Sequence, residues 1–102
     1  MTFLRRFFLT LFKSGLSKDE VLKKFEERTY KYREVKGLSQ KYYIHEESSN
    51  EFGGVYVFDS KENLEAFRSS ELAKSIGDTY KYLEPPVKKV FNVNLVLNKD
   101  KK

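Results

Sequence analysis

The sequence predicts an α+β domain of ferredoxin-like βαββαβ order, a four-stranded antiparallel sheet with two helices on one face. Three observations carry this. Aromatic and β-branched runs stand at 3–12, 38–46, 52–58 and 87–97. Two of the stretches between them place apolar residues at helical spacing behind residues that can cap a helix. The length of 102 residues suits one small domain, and there is no repeat, linker or low-complexity tract.

The elements follow in order. FLRRFFLTLF at 3–12 reads as the first strand, broken by Ser14 and Gly15. Ser17 and Glu20 form a capping box that opens the first helix. Val21, Leu22, Phe25 and Tyr32, with Thr29 between, make its apolar stripe, and Gly37 suits its C-terminal stop. LSQKYYIHE at 38–46 is the second strand, ESSNE a polar turn, and FGGVYVF at 52–58 the third strand. Asp59 or Ser60 caps the second helix, with Glu62 favoured by charge in its first turn and Leu64 and Phe67 facing the core. A break at Arg68–Ser70 precedes a continuation through ELAKSIGDTYKY, weakened near its end by Gly77. Pro85 and Pro86 then forbid further helix. VKKVFNVNLVL at 87–97 is the last strand, so the domain is expected to span 1–97, with NKDKK at 98–102 a charged tail.

Composition narrows the chemistry. Aromatic residues make up 16% of the chain, nine Phe and seven Tyr, which is enough to build a core despite 34% charged residues. There is no cysteine, so disulfides, thiolate nucleophiles and cysteine-ligated metals are excluded, and a reducing, cytoplasmic setting is expected. His45 is the sole histidine, which leaves little room for a multi-histidine metal site. The net charge of +5 is compatible with an anionic partner, but the basic residues are interspersed with acids, as on solvated helix faces. FFLTLF behind two arginines is too short for a signal peptide or a membrane span and reads as strand; no membrane association is expected.

An RNA-recognition motif shares the βαββαβ order and has the signature K/R-G-F/Y-G/A-F-V-x-F/Y. Aligned on Phe52-Gly53, this chain puts Gly54 and Val57 where stacking aromatics belong and Asn50 where a basic residue belongs. Each lost stacking position removes about 1–3 kcal/mol. Strand alternation also argues against an open nucleic-acid platform. Gly54, Tyr56 and Phe58 share one face, Val55 and Val57 the other, and Val90 and Phe91 point opposite ways. Both faces are apolar and two helices cover only one. A wet apolar sheet would be costly, so a homodimer with sheets face to face is expected, and nucleic acid is not. Gly53 and Gly54 lack the later Gly and Lys of a phosphate loop and read as a bulge or a close backbone approach.

GLSQKYYIHEE, FGGVYVFDSKENLEAFRSSELAKSIG and VKKVFNVN together resemble the dimeric α+β barrel superfamily, and within it the YdhR-type monooxygenases. The most specific part is a Gly-Gly opening a strand that ends in an aromatic, followed by an acidic or serine turn and a broken helix. The resemblance implies a small hydrophobic or aromatic ligand held in each protomer between sheet and helices. It also implies oxygenation of phenolic or quinone-type substrates without metal or flavin, the protein supplying orientation, a dry pocket and stabilisation of the substrate anion. A non-catalytic small-molecule-binding or stress-related dimer is the alternative. A haem-degrading branch has the same layout, but its Asn, Trp and His positions correspond to Phe7, Phe58 and Gly77, and glycine cannot ligate iron.

On this resemblance the candidate catalytic pair is His45, as base or donor, with Tyr43 orienting from two residues away on the same strand face. The bland reading leaves His45 exposed at the strand end. Phe7, Tyr56, Phe58, Phe67 and Tyr80 are candidate pocket walls; ordinary core packing is the alternative for each.

Overall fold

The computed structural model describes residues 5–97. Four strands, β1 (Arg6–Phe12), β2 (Leu38–Glu46), β3 (Glu51–Phe58) and β4 (Val87–Asn92), form one sheet in the order β2-β3-β1-β4. Every neighbouring pair is antiparallel. The helices α1 (Lys18–Tyr32), α2 (Lys61–Arg68), α3 (Glu71–Lys74) and α4 (Ile76–Thr79) complete the βαββαβ order, the second helical region being divided into three short pieces.

Local chemistry sets the boundaries. The Ser17 hydroxyl accepts from the Glu20 amide while the Glu20 carboxylate accepts from the Ser17 amide, so α1 starts on a complete capping box. Ser60, rather than Asp59, caps α2 through the Asn63 amide. Ser70 then caps α3 through the Ala73 amide, which ends α2 and restarts the helix in a new direction. Gly37 has φ 81°, and a Cβ there would lie 2.5 Å from atoms of Asn63 and Asp59, so only glycine lets the turn before β2 sit against the start of α2.

The helices and one sheet face enclose two adjoining aromatic clusters. Phe8, Tyr32, Tyr56, Phe58, Leu64 and Phe67 form the first; Phe12, Val21, Phe25, Phe52 and Tyr80 form the second. The pairings Phe8↔Tyr56, Thr10↔Gly54 and Phe12↔Phe52 place these residues on the helix side. Phe7, Leu9 and Leu11 consequently face the other way, with Val55, Phe91 and Val87 beside them. Among the described residues no helix packs on that second face, and Phe7, Tyr42, Val87 and Phe91 are exposed there.

Two expectations change, and of the two readings of Gly53 one is met. Leu22 is not on the apolar stripe of α1: buried Val21, Phe25 and Tyr32 define it, and Leu22, about 100° round the helix from Val21, is exposed. The last strand stops at Asn92 instead of running to 97: its partner β1 begins at Arg6, opposite Asn92, and among the described residues the bond from the Val93 amide to the Arg5 carbonyl alone continues the ladder. Gly53 makes the close approach and no bulge: a Cβ there would lie 1.8 Å from the Thr10 carbonyl oxygen. The register shift lies in β2 instead, between Leu38 and Gln40. The start of the first strand at 3–4 and the charged tail at 98–102 lie outside the described residues.

Candidate functional site

The helix-side face of the sheet carries a cleft on each flank of the aromatic core. The larger, about 440 Å³, lies between β1 and β4 below and α2, α3 and α4 above. It exists because α1 covers the β2–β3 side, while the short pieces α3 and α4 leave the β1–β4 edge incompletely roofed. Phe8, Phe67, Ile76 and Tyr82 form apolar walls, Thr10 lies on the floor, and Arg68, Lys74 and Lys88 bring cations to the lining. Lys88 reaches this side because it pairs with Thr10 across the strands. The Arg68 guanidinium stands 5.1 Å over the Phe8 ring and donates to Glu65 at 3.3 Å. Burial raises the Tyr82 phenol to about 12, with the neighbouring Tyr32 adding to the effect, so this hydroxyl remains a hydrogen-bond donor at neutral pH.

At the opposite flank, α1 and β2 bring together a cluster of tyrosines and cations. Lys41 Nζ stands 3.3 Å from the centroid of the Tyr32 ring, 4.3 Å from that of Tyr43 and 4.7 Å from that of Tyr56. Desolvation, and after it the positive charge of Arg28, lower its pKa to about 7. Gly54 helps to make the room: a Cβ there would lie 3.3 Å from Lys41 Cε. Arg28 donates to the Ser75 hydroxyl at 3.0 Å and lies 6.0 Å over the Tyr80 ring, and its buried Nε has no hydrogen-bond partner among the described residues. Burial pushes the phenols of Tyr32, Tyr56 and Tyr80 upward, so all three stay protonated.

The predicted residues do not converge on one place. Phe67 lines the larger cleft. Tyr43 lines the smaller, its hydroxyl 3.0 Å from that of Thr29 and its ring 4.5 Å from Phe25. Tyr56, Phe58 and Tyr80 are enclosed in the core. Phe7 lies on the outer sheet face; its neighbour Phe8 is the strand-one aromatic inside the cleft, because a one-residue step reverses the face. His45 shares the Tyr43 face but sits at the far end of β2, stacked on Phe52 at 4.6 Å and hydrogen-bonded to Asn50 at 2.9 Å, and lines neither cleft. His45 and Tyr43 thus share a strand face, with Tyr43 at the smaller cleft and His45 bordering neither cleft.

Lys41 and Arg28 are the residues that the pattern concealed. Lys41 precedes Tyr43 and His45 by the same period of two, and Arg28 lies between Phe25 and Tyr32 on the buried stripe of α1. A cation on an otherwise apolar stripe was the available signal. Among the described residues no cluster of three or more His, Cys, Asp or Glu side chains has a metal-binding arrangement, and no helix is long and apolar enough to cross a membrane.

Known proteins agree with this architecture. A protein of unknown function from Nitrosomonas europaea superposes with a TM-score of 0.76 at 10% identity, over 97% of this chain and 98% of the other. A "putative antibiotic biosynthesis monooxygenase" from Caulobacter crescentus gives 0.71 at 13% identity, over 91% and 92% of the two chains. A "dimeric ferredoxin-like protein of unknown function" from Thermobifida fusca gives 0.71 at 12%, over 90% and 93%. At such identities the likeness concerns the fold. Comparison with curated proteins gives no match. The family model described as "Putative mono-oxygenase ydhR" matches residues 9–99, nearly the whole chain. With the four-stranded antiparallel sheet, the broken second helix and a cleft between them, that match identifies the chain as a member of the ydhR mono-oxygenase family.

Proposed function

We propose that the protein is a cofactor-independent monooxygenase that acts on a small phenolic or similarly acidic aromatic metabolite in the larger cleft. The observation that carries this reading is the lining of that cleft: aromatic walls at Phe8, Phe67 and Tyr82 with Arg68 and Lys88 beside them. A flat apolar ring fits the walls, and a developing phenolate is favoured by nearby cations and by a Tyr82 hydroxyl that stays protonated. The roles are orientation and stabilisation of the anion, whose proton passes to water at the open mouth of the cleft. The anion gives one electron to O₂, the resulting radical and superoxide combine to a hydroperoxide, and its O–O bond breaks to leave one oxygen on the ring as a quinone carbonyl and release the other as water. In this reading Phe8 takes the place expected for Phe7, and His45 and Tyr43 are not in the reacting shell.

The active form is a homodimer closed over the outer sheet face. Its support is the uncovered apolar strip of Phe7, Val87 and Phe91, together with similar folds described as dimeric from Thermobifida fusca and Jannaschia. One observation favours the second reading, a ligand-binding dimer without turnover: the chain's sole histidine lies outside both clefts.

The deciding experiment pairs native mass spectrometry of fresh protein with an oxygen electrode and a panel of hydroquinones and naphthols. Substrate-dependent O₂ uptake that is lost in Ala73→Phe, which fills the larger cleft, supports the enzyme. A bound small molecule with no uptake across the panel establishes the ligand-binding reading instead. Uptake unchanged in Ala73→Phe removes the reaction from this cleft.

A further inference from the structure

The second cleft, about 360 Å³, opens between the C-terminal half of α1 and β2, on the other side of the aromatic core from the proposed reaction cleft. Tyr32, Tyr43 and Leu38 give it apolar walls, while Ser39, Arg33 and Lys41 supply donors, and none of its lining residues is a carboxylate. Among the described residues no acid lies within ion-pair distance of Lys41.

We propose that this cleft binds a small organic carboxylate, its negative charge on the Lys41 ammonium and its apolar body against Tyr32, Tyr43 and Leu38. Three features lead there. Donors are in excess: among the described residues Lys41, in the lining, has no counter-ion, and the Nε of Arg28, buried outside the lining, has no acceptor. Two like charges, Arg28 and Lys41, influence one another in a poorly solvated region, and a single anion relieves that repulsion. The tyrosine faces hold the ammonium in place by cation–π contact without neutralising it, so its charge stays available to a ligand. A phosphate dianion is the poorer fit. It needs several charge-assisted donors at once, and the ring walls offer it nothing.

The pH dependence has a defined sign. The groups facing Lys41 are Arg28 and Tyr32 from α1, Tyr43 from its own strand and Tyr56 from β3, with Arg33 at the cleft lining. Burial pushes the Tyr32 and Tyr56 phenols upward and the Lys41 ammonium downward, so Lys41 is the group whose charge changes. Binding is strongest below about pH 7, where the ammonium persists, and weakens as pH rises past that value.

The test is an NMR titration of the full chain with benzoate, which stays ionised throughout, at pH 6 and pH 9. Saturable shifts at the Thr29, Ser39 and Gln40 amides, roughly tenfold or more weaker at pH 9 and lost in Lys41→Met, are the expected result. Circular dichroism of Lys41→Met and of a second variant, Lys41→Gln, shows that loss of binding is not loss of fold; the wild-type pH series stands independently of either. Shifts confined to Ala73 and Gly77 would put the carboxylate in the reaction cleft and overturn the proposal. No saturation at either pH, affinity unchanged in Lys41→Met, or inorganic phosphate binding as tightly at the same amides would each overturn it too.

Discussion

The two faces of the sheet carry similar residues and have different fates. Phe8 and Phe7 are consecutive, yet Phe8 is 4% exposed and Phe7 36%. Val90 and Phe91 of β4, which point to opposite faces, are both exposed: Val90 because the short helices after α2 leave the β4 edge incompletely roofed, Phe91 because it shares the outer face with Phe7. Residue type therefore does not decide burial here. What decides it is which element lies over each face. α1 and α2 cover the centre of one face and the incompletely covered edge of that face becomes a cleft, while on the opposite face Val57 is buried but Phe7, Val87 and Phe91 stay exposed.

Paired substitutions sharpen this comparison most strongly. Phe8→Ala should cost about 3–5 kcal/mol in urea denaturation, as for other buried phenylalanines. Phe7→Ala should cost less than about 1 kcal/mol when measured at concentrations that hold the monomer. Equal costs would mean that the outer face is covered within one chain. Next in size is the effect on assembly. Phe7→Asp with Phe91→Asp should weaken self-association at least a hundredfold, about 2.7 kcal/mol, as read by native mass spectrometry or light scattering. A dimer that survives both charges would place the interface elsewhere.

The smallest effect concerns the interior cation. The Lys41 pKa is lowered in the folded state, so between about pH 7 and 10.5 the unfolded chain binds more protons than the folded one, and stability rises with pH across that window. Below pH 7 the full cost of the buried ammonium is present. Lys41→Met, which keeps an unbranched side chain, should therefore stabilise the protein by about 2 kcal/mol at pH 6, partly offset by lost cation–π contact, with the gain vanishing towards pH 10. Thermal melts at the two pH values check this. A gain that grows with pH would show that Lys41 is stabilised as the cation.

Much of the fold was readable before any coordinates. The capping box at Ser17 and Glu20, the polar turn before Glu51, the serines around the helix break and the Pro85-Pro86 stop are local signals. Each acts through a neighbour within a few residues and needs no tertiary partner. Strand alternation also separated Tyr56 and Phe58 from Val55 correctly, since a period of two is a property of the extended chain. The site was less legible. Choosing Phe7 over Phe8 required the absolute facing of β1, which is set by its register with β3 and not by its own residues. His45 shares a face with Tyr43, but the position of α1 and the end of β2 determine that one borders a cleft and the other stacks on Phe52 at the rim.

The sequence by itself determined where the helices after Ser17 and Ser60 begin, the order of the strands and helices along the chain, and the presence of two apolar sheet faces, because capping, turn chemistry and side-chain periodicity are short-range. Only the tertiary structure decided which aromatics are core and which line a cleft, that the last strand ends with its partner, and that Lys41 and Arg28 meet among four tyrosines. Those outcomes depend on residues far apart in the chain, and the desolvation that lowers the Lys41 pKa exists only once α1, β2 and β3 have closed around it.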